Sequence, residues 1–168
     1  VTADDRFLYV ATTNGVTRSD GEDREPLPLQ VDYGDELVAL KSGLYRMRYD
    51  GNILQRSLNG GSWQDLPPIG GDVDMEIQAL VDHRGLLYAG TSRGLYRLNG
   101  GAWEELGSLP EKEVLALATI GSDLYVATWA MPPWSGRSLF VSHDGGASWL
   151  PWDLGLTRKV NCLGTYGN

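Results

Sequence analysis

The sequence predicts an all-β chain of about four repeated units of short antiparallel strands, forming one domain over 1–168. Three observations predict it. A strand-like segment recurs along the chain, a second apolar segment follows each copy, and a glycine-rich turn, often ending in tryptophan, comes next.

Composition agrees. A chain of 168 residues can hold one domain with a real core. Its 22 glycines, 8 prolines and 6 tryptophans, with 21% charged residues, suit short strands joined by tight turns. Helix-favouring runs are scarce. Residues 111–119 are the best candidate, and their β-branched and apolar neighbours fit a strand at least as well.

In chain order, Leu8-Tyr9-Val10-Ala11-Thr12 recurs as Leu86-Leu87-Tyr88-Ala89-Gly90-Thr91 and as Leu124-Tyr125-Val126-Ala127-Thr128, with a divergent copy at Glu36-Leu37-Val38-Ala39-Leu40. The second segments are Gly15-Val16-Thr17-Arg18, Gly43-Leu44-Tyr45-Arg46, Gly94-Leu95-Tyr96-Arg97 and Ser138-Leu139-Phe140-Val141. Turns follow at Ser19-Asp20-Gly21, Asn59-Gly60-Gly61-Ser62-Trp63, Asn99-Gly100-Gly101-Ala102-Trp103 and Asp144-Gly145-Gly146. Asn59 and Asn99 are expected to serve as structural turn residues, asparagine being suited to left-handed backbone.

The mean spacing of about 42 residues is close to the roughly 40–50 of a four-stranded propeller blade. The individual steps are uneven. The segment from Met47 to Ser57 reads as an extended or extra hairpin, and no first strand is evident between Leu29 and Glu36. The tryptophans after the turns are expected between blades. The segment starting at Lys159 parallels the one starting at Glu113, but no Leu-Tyr-Val-Ala-Thr strand follows it. Such a strand stands at the N-terminus instead. Pairing the terminal strands would close a small β-propeller of about four blades and remove exposed edges. The alternative is a half-propeller completed by a second chain, a homodimer.

One turn carries a longer motif. Ser142-His143-Asp144-Gly145-Gly146-Ala147-Ser148-Trp149 lies between two apolar runs, and its pattern Ser-x-Asp-x-Gly-x-x-Trp resembles the Asp box, or BNR repeat, of sialidase-like and sortilin-like β-propellers. The resemblance implies that Asp144, Gly146 and Trp149 are structural turn residues. It also implies a non-catalytic scaffold that binds a protein partner, as in sortilin-like receptors and photosystem II assembly factors, and an extracellular or periplasmic setting. A carbohydrate-binding, lectin-like propeller is the alternative. A glycoside hydrolase-like fragment is the third reading: sialidases use an arginine cluster, a tyrosine nucleophile and an acid, and none of those motifs aligns to a position here, so no catalytic residue is expected.

Other function classes are disfavoured from the residues themselves. The net charge of −8 supplies no basic stripe for nucleic acid or anionic membrane, and no apolar run is long enough to insert. Val1 is not methionine and no leader follows it, which fits a mature or trimmed product. No cofactor or metal site is expected. His83 and His143 read as solvated turn residues, Asp72, Asp74 and Glu76 as an acidic connecting turn, and Cys162 as a small buried hydrophobe.

The segment Trp129-Ala130-Met131-Pro132-Pro133-Trp134-Ser135-Gly136-Arg137 departs from the repeat. Its prolines exclude a central strand, so a projecting loop is expected. Trp129, Met131, Trp134 and Arg137 are the candidate contact residues for a protein or glycan, since tryptophan and arginine dominate binding hot spots. A loop folded back over a blade edge is the competing reading.

Overall fold

The computed structural model describes residues 1–12, 14–48, 53–70, 75–110, 113–129, 139–152, 154, 160 and 162–164. Among them the chain is all β. It divides into two compact units, Val1–Asp74 and Met75–Asn168, each containing two four-stranded antiparallel sheets.

The first sheet is β1 (Thr2–Ala3), β2 (Leu8–Thr12), β3 (Gly15–Ser19) and β4 (Arg24–Leu27), in that order. The second is β5 (Glu36–Leu40), β6 (Gly43–Met47), β7 (Leu54–Ser57) and β8 (Gln64–Asp65). In the second unit, β9 (Ile77–His83), β10 (Leu86–Thr91), β11 (Gly94–Asn99) and β12 (Ala102–Glu105) form one sheet. The other contains β13 (Val114–Ile120), β14 (Asp123–Thr128), β15 (Leu139–Ser142) and β16 (Leu150–Pro151). The 111–119 ambiguity therefore resolves as strand, with Val114 to Ile120 paired along β14.

Two-residue turns set the registers. His83 pairs with Leu86 and Asn99 with Ala102. The central residues of these links all have positive φ: Arg84 at 51°, Gly85 at 77°, Gly100 at 58° and Gly101 at 88°. Two successive positive φ values match the right-handed twist of paired strands. Asn99 itself stays out of the left-handed region, which the two glycines occupy instead. Its side-chain amide donates to Glu104 Oε1 at 2.9 Å. The threonine ending β10 braces the following turn: Thr91 Oγ1 donates to Gly94 O at 2.9 Å and accepts from the amides of Arg93 and Gly94.

The second sheet shifts the repeat by one strand. Glu36–Leu40, which matches the second strand of the other units, takes the first position here, and Gly43–Met47 takes the central second position. The hairpin expected from Met47 to Ser57 supplies the third strand, β7, which pairs with β6. The gap expected between Leu29 and Glu36 is therefore filled within the sheet. Burial agrees with the placement: β6 is shielded along Leu44 to Met47, as β10 is from Leu87 to Thr91.

This shift changes the fate of a repeated arginine. On β11, Arg97 is half-exposed and pairs across the sheet with Glu104 at 2.7 Å. On β6, Arg46 is buried and pairs with Asp35 and Asp32, which precede β5.

Each unit has its own core. In the first, Tyr9, Val16 and Leu27 of one sheet meet Leu37, Ala39 and Leu44 of the next, together with Leu29 and Val31 from the connection. In the second, Tyr88 and Leu95 meet Val114, Leu117, Leu124 and Val126. Two of the tryptophans after the turns lie where expected: Trp63 packs on the first cluster and Trp149 on the second.

Strand β1 occupies the place beside β2, pairing Thr2 with Tyr9 and Ala3 with Leu8. Ring closure by the C-terminal segment falls largely outside the described residues; of those described, Val160 and Leu163 pack on Ala116, Ala127 and Leu139. Cys162, expected to be buried, is exposed.

Candidate functional site

A cleft of about 390 Å³ opens between the two sheets of the first unit. The alternation of strand side chains builds one wall. Tyr9 and Arg18 are cross-strand partners on β2 and β3, and Phe7 lies two residues before Tyr9 on the same face. Further along that face are Ala11 and Val16, which enter the core. The face therefore runs from a dry interior to a polar mouth. At the mouth the guanidinium carbons of Arg6 and Arg18 lie 5.1 and 4.8 Å from the Phe7 ring centroid, close enough for cation–π attraction.

Asp4 holds this wall in shape. Its Oδ1 accepts the amides of Arg6 and Phe7, both at 2.8 Å, and its Oδ2 accepts the Tyr9 hydroxyl at 3.0 Å. Burial tends to raise the Asp4 pKa, but these hydrogen bonds and the nearby Arg6 charge outweigh it and hold the carboxyl below its usual range. Burial pushes the Tyr9 hydroxyl up, and the bond to Asp4 adds to that shift.

The opposite wall comes from two turns of the second sheet: residues 40–44 around Lys41, and residues 57–60. In the latter turn Ser57 Oγ accepts the Gly60 amide at 3.1 Å, and Asn59 Oδ1 accepts the Gly61 amide at 3.0 Å. Gly60 has φ 77°, and a Cβ there would meet Leu27 Cδ2 at 3.0 Å. The turn therefore presses against the neighbouring sheet, while Trp63 Nε1 donates to Gln30 O at 2.8 Å.

The Ser142 to Trp149 turn makes a fuller version of this arrangement. Ser142 Oγ accepts the Gly146 amide at 2.7 Å and donates to Asp144 Oδ1 at 2.8 Å. Asp144 also accepts the Ser148 hydroxyl at 2.5 Å and the Ser148 amide at 2.9 Å. These bonds, the Ser148 hydroxyl foremost, hold its carboxyl far below the usual range. Gly145 O accepts the Tyr88 hydroxyl at 3.0 Å, and Gly146 O accepts Ser108 Oγ at 3.1 Å. With its oxygens committed to the turn, Asp144 is placed to hold backbone rather than to exchange protons.

The histidines differ from one another. His143 is exposed, with Nδ1 2.9 Å from Asp123 Oδ1. His83, expected to be solvated, is instead buried at the end of β9, edge-on to Tyr88 with ring centroids 5.6 Å apart. It ends a strand whose inward face meets the core, and the turn proper is formed by Arg84 and Gly85. Burial, then the charge of Arg84, lower its pKa against the opposing pull of Asp123.

Of the candidate contact residues, Met131, Trp134 and Arg137 lie outside the described residues. Trp129 is half-buried, and its amide continues the sheet by donating to Glu113 O at 2.8 Å. Asp72 and Asp74 are also outside the description, whereas Glu76 exchanges bonds with Ser92. Sequence reasoning missed the cleft. The signal for it in the sequence was the spacing of Phe7 and Tyr9, with Arg18 across the hairpin, which puts aromatic and cationic residues on one strand face.

No family model and no curated protein matches the chain. Solved structures do share its fold. One is the extracellular domain of BT4673 from B. thetaiotaomicron, described as a one-component system in one structure and a hybrid two-component system in another. Both are 17% identical, with TM-scores of 0.60 and 0.59 over 96% and 95% of this chain and 23% and 22% of theirs. The GH74 enzyme of Niastella koreensis is 17% identical, with a TM-score of 0.52 over 81% of this chain and 22% of its own. YCF48 bound to D1 peptide is 14% identical, with a TM-score of 0.59 over 95% of this chain and 53% of its own. The chain thus spans between about a quarter and about half of these neighbours. They have β-propeller-type folds, and the four four-stranded sheets described here share that architecture.

Proposed function

We propose that the chain is a non-catalytic β-propeller module that binds a protein partner, in an extracellular or periplasmic setting. The observation that carries the partner reading is the cleft of the first unit, where Asp4 fixes the backbone at Arg6 and Phe7 and the Tyr9 hydroxyl, and Asn59 braces the facing turn. Preorganised side chains on sheet scaffolds lose little entropy on binding, which suits recognition of an extended segment. Two neighbours support the reading: YCF48 is bound to a peptide, and BT4673 contributes an extracellular domain. The turn at Asp144, Gly146 and Trp149 is read as architectural, in keeping with the Asp-box resemblance, and the Trp129 to Arg137 segment as a second contact region.

The test is selection from a display library of short random peptides on the immobilised chain, followed by solution titration of the recovered peptides. Recovery of peptides that share a motif and bind saturably is the expected result. Failure to recover any, together with specific retention on a glycan array, would replace this reading with the lectin-like one.

A further inference from the structure

We infer that the cleft of the first unit is a carboxylate site, taking an aspartate, a glutamate or a chain-terminal carboxylate of the bound segment on the guanidinium of Arg6, with Lys41 assisting. This deepens the partner-binding reading and rests on it.

The charges of the cleft are unevenly committed. Arg18 is engaged: its Nε and Nη2 both reach Glu25 Oε2, at 2.8 and 2.6 Å. Arg6 differs. Its side chain is exposed, and among the described residues no carboxylate lies within ion-pair distance of its guanidinium. The neighbouring Asp4 spends its two oxygens on the amides of Arg6 and Phe7 and on the Tyr9 hydroxyl. The fork of Arg6 is therefore available, and the Phe7 ring beneath it restricts where it can point. A planar guanidinium held this way suits two-point recognition of a carboxylate. Lys41 makes only a loose pair with Asp5, 3.6 Å apart with both side chains 71% exposed, so little is lost when it turns to a ligand. On the same wall, the Asn59 side chain uses its oxygen within the turn, and among the described residues its amide nitrogen makes no hydrogen bond.

The aromatic groups argue against a neutral sugar. Stacking on a sugar needs a bare ring face, but Phe7 is covered by two guanidiniums and Tyr9 is buried with its hydroxyl bonded to Asp4. What the cleft offers is charge and hydrogen-bond donors. A polyanion would need an extended basic track, and this chain carries a net charge of −8. A single carboxylate on a protein segment fits both limits.

The experiment uses the intact chain and peptides recovered from the display library. Each acidic residue is exchanged for its amide, and binding is measured for wild type, Arg6→Gln, Lys41→Gln and, as a control, Arg24→Gln, a charge loss at an arginine outside the cleft. Thermal melting first establishes that all four proteins are folded. The expected result is that Arg6→Gln and the peptide amide exchange each weaken binding about tenfold or more and are not additive. Lys41→Gln should weaken it about two- to threefold, and Arg24→Gln should leave it unchanged. Peptides that bind without preference for the acid, or equally to Arg6→Gln, would overturn the carboxylate site and leave the partner reading standing. No bound peptide at all would overturn both. Arg6-dependent retention of acidic sugars in place of peptides would assign the carboxylate to a glycan and overturn the proposal as stated.

Discussion

Arg46 Nε and Asp35 Oδ2 lie 2.5 Å apart, with the two side chains only 8% and 3% exposed. Arg46 also reaches Asp32, so one guanidinium ties both ends of the Asp32 to Asp35 turn to the middle of a sheet. Removing one partner of a shielded pair leaves the other charge without compensation. Arg46→Met should therefore destabilise the protein by about 3 kcal/mol or more, with Arg46→Met/Asp35→Asn recovering part of the loss. The corresponding change on the half-exposed pair, Arg97→Met, should cost about 1 kcal/mol or less. Urea unfolding followed by tryptophan fluorescence measures all three.

Gly146 and Gly100 both have positive φ, but their surroundings differ. A Cβ at Gly146 would lie 2.7 Å from Leu106 Cδ1, whereas none of the atoms around Gly100 lies within 4 Å. Gly100→Ala should cost about 1 kcal/mol for backbone conformation alone. Gly146→Ala should cost clearly more, because Leu106 must also move. Comparing the melting temperatures of the two variants checks the order.

His83 makes the second unit sensitive to mild acid. Its pKa is lowered from its ordinary 6.5, chiefly by burial. The unfolded chain therefore takes up the proton first as pH falls. The stability owed to neutral His83 is fully present above the unfolded value, declines as pH drops below it, and levels off beneath the folded value. His83→Phe should flatten stability across that window, as read by melting at a series of pH values.

Asp144 behaves differently. Its carboxyl titrates far below the ordinary range because the Ser148 hydroxyl, the Ser148 amide and Ser142 all bond to the charged form. For a lowered carboxylate, the stabilisation is present above the unfolded pKa and is lost as pH falls through the folded one. The difference in melting temperature between wild type and Asp144→Ala should stay constant down to roughly pH 4 and narrow only in stronger acid.

Much of the fold was legible because glycine-bounded strands and turns repeat at the level of residue type: Leu86 to Asn99 could be read strand by strand. The second sheet could not. Glu36 to Leu40 resembles the second strand of the other units, and only pairing with the strands after it shows that it stands first. Similarity of a segment reports its ancestry, whereas its place in a sheet depends on which neighbours close the hydrogen bonds. His83 was misread for a related reason: adjacency to a turn in sequence does not say which way the last strand residue faces. The cleft was hidden because Arg6 and Lys41 are far apart in sequence and come together only when two sheets pack.

The same steric contact recurs in both halves of the chain. The turn glycine of the later sheet presses on a leucine at the outer strand of the earlier one, Gly60 on Leu27 and Gly146 on Leu106. An exchange that moved one sheet alone would separate such a partnership; an exchange of two together would carry it along intact. For recombination, whether by evolution or in the laboratory, the transferable piece is then the sheet pair, and the natural seam lies between Asp74 and Met75.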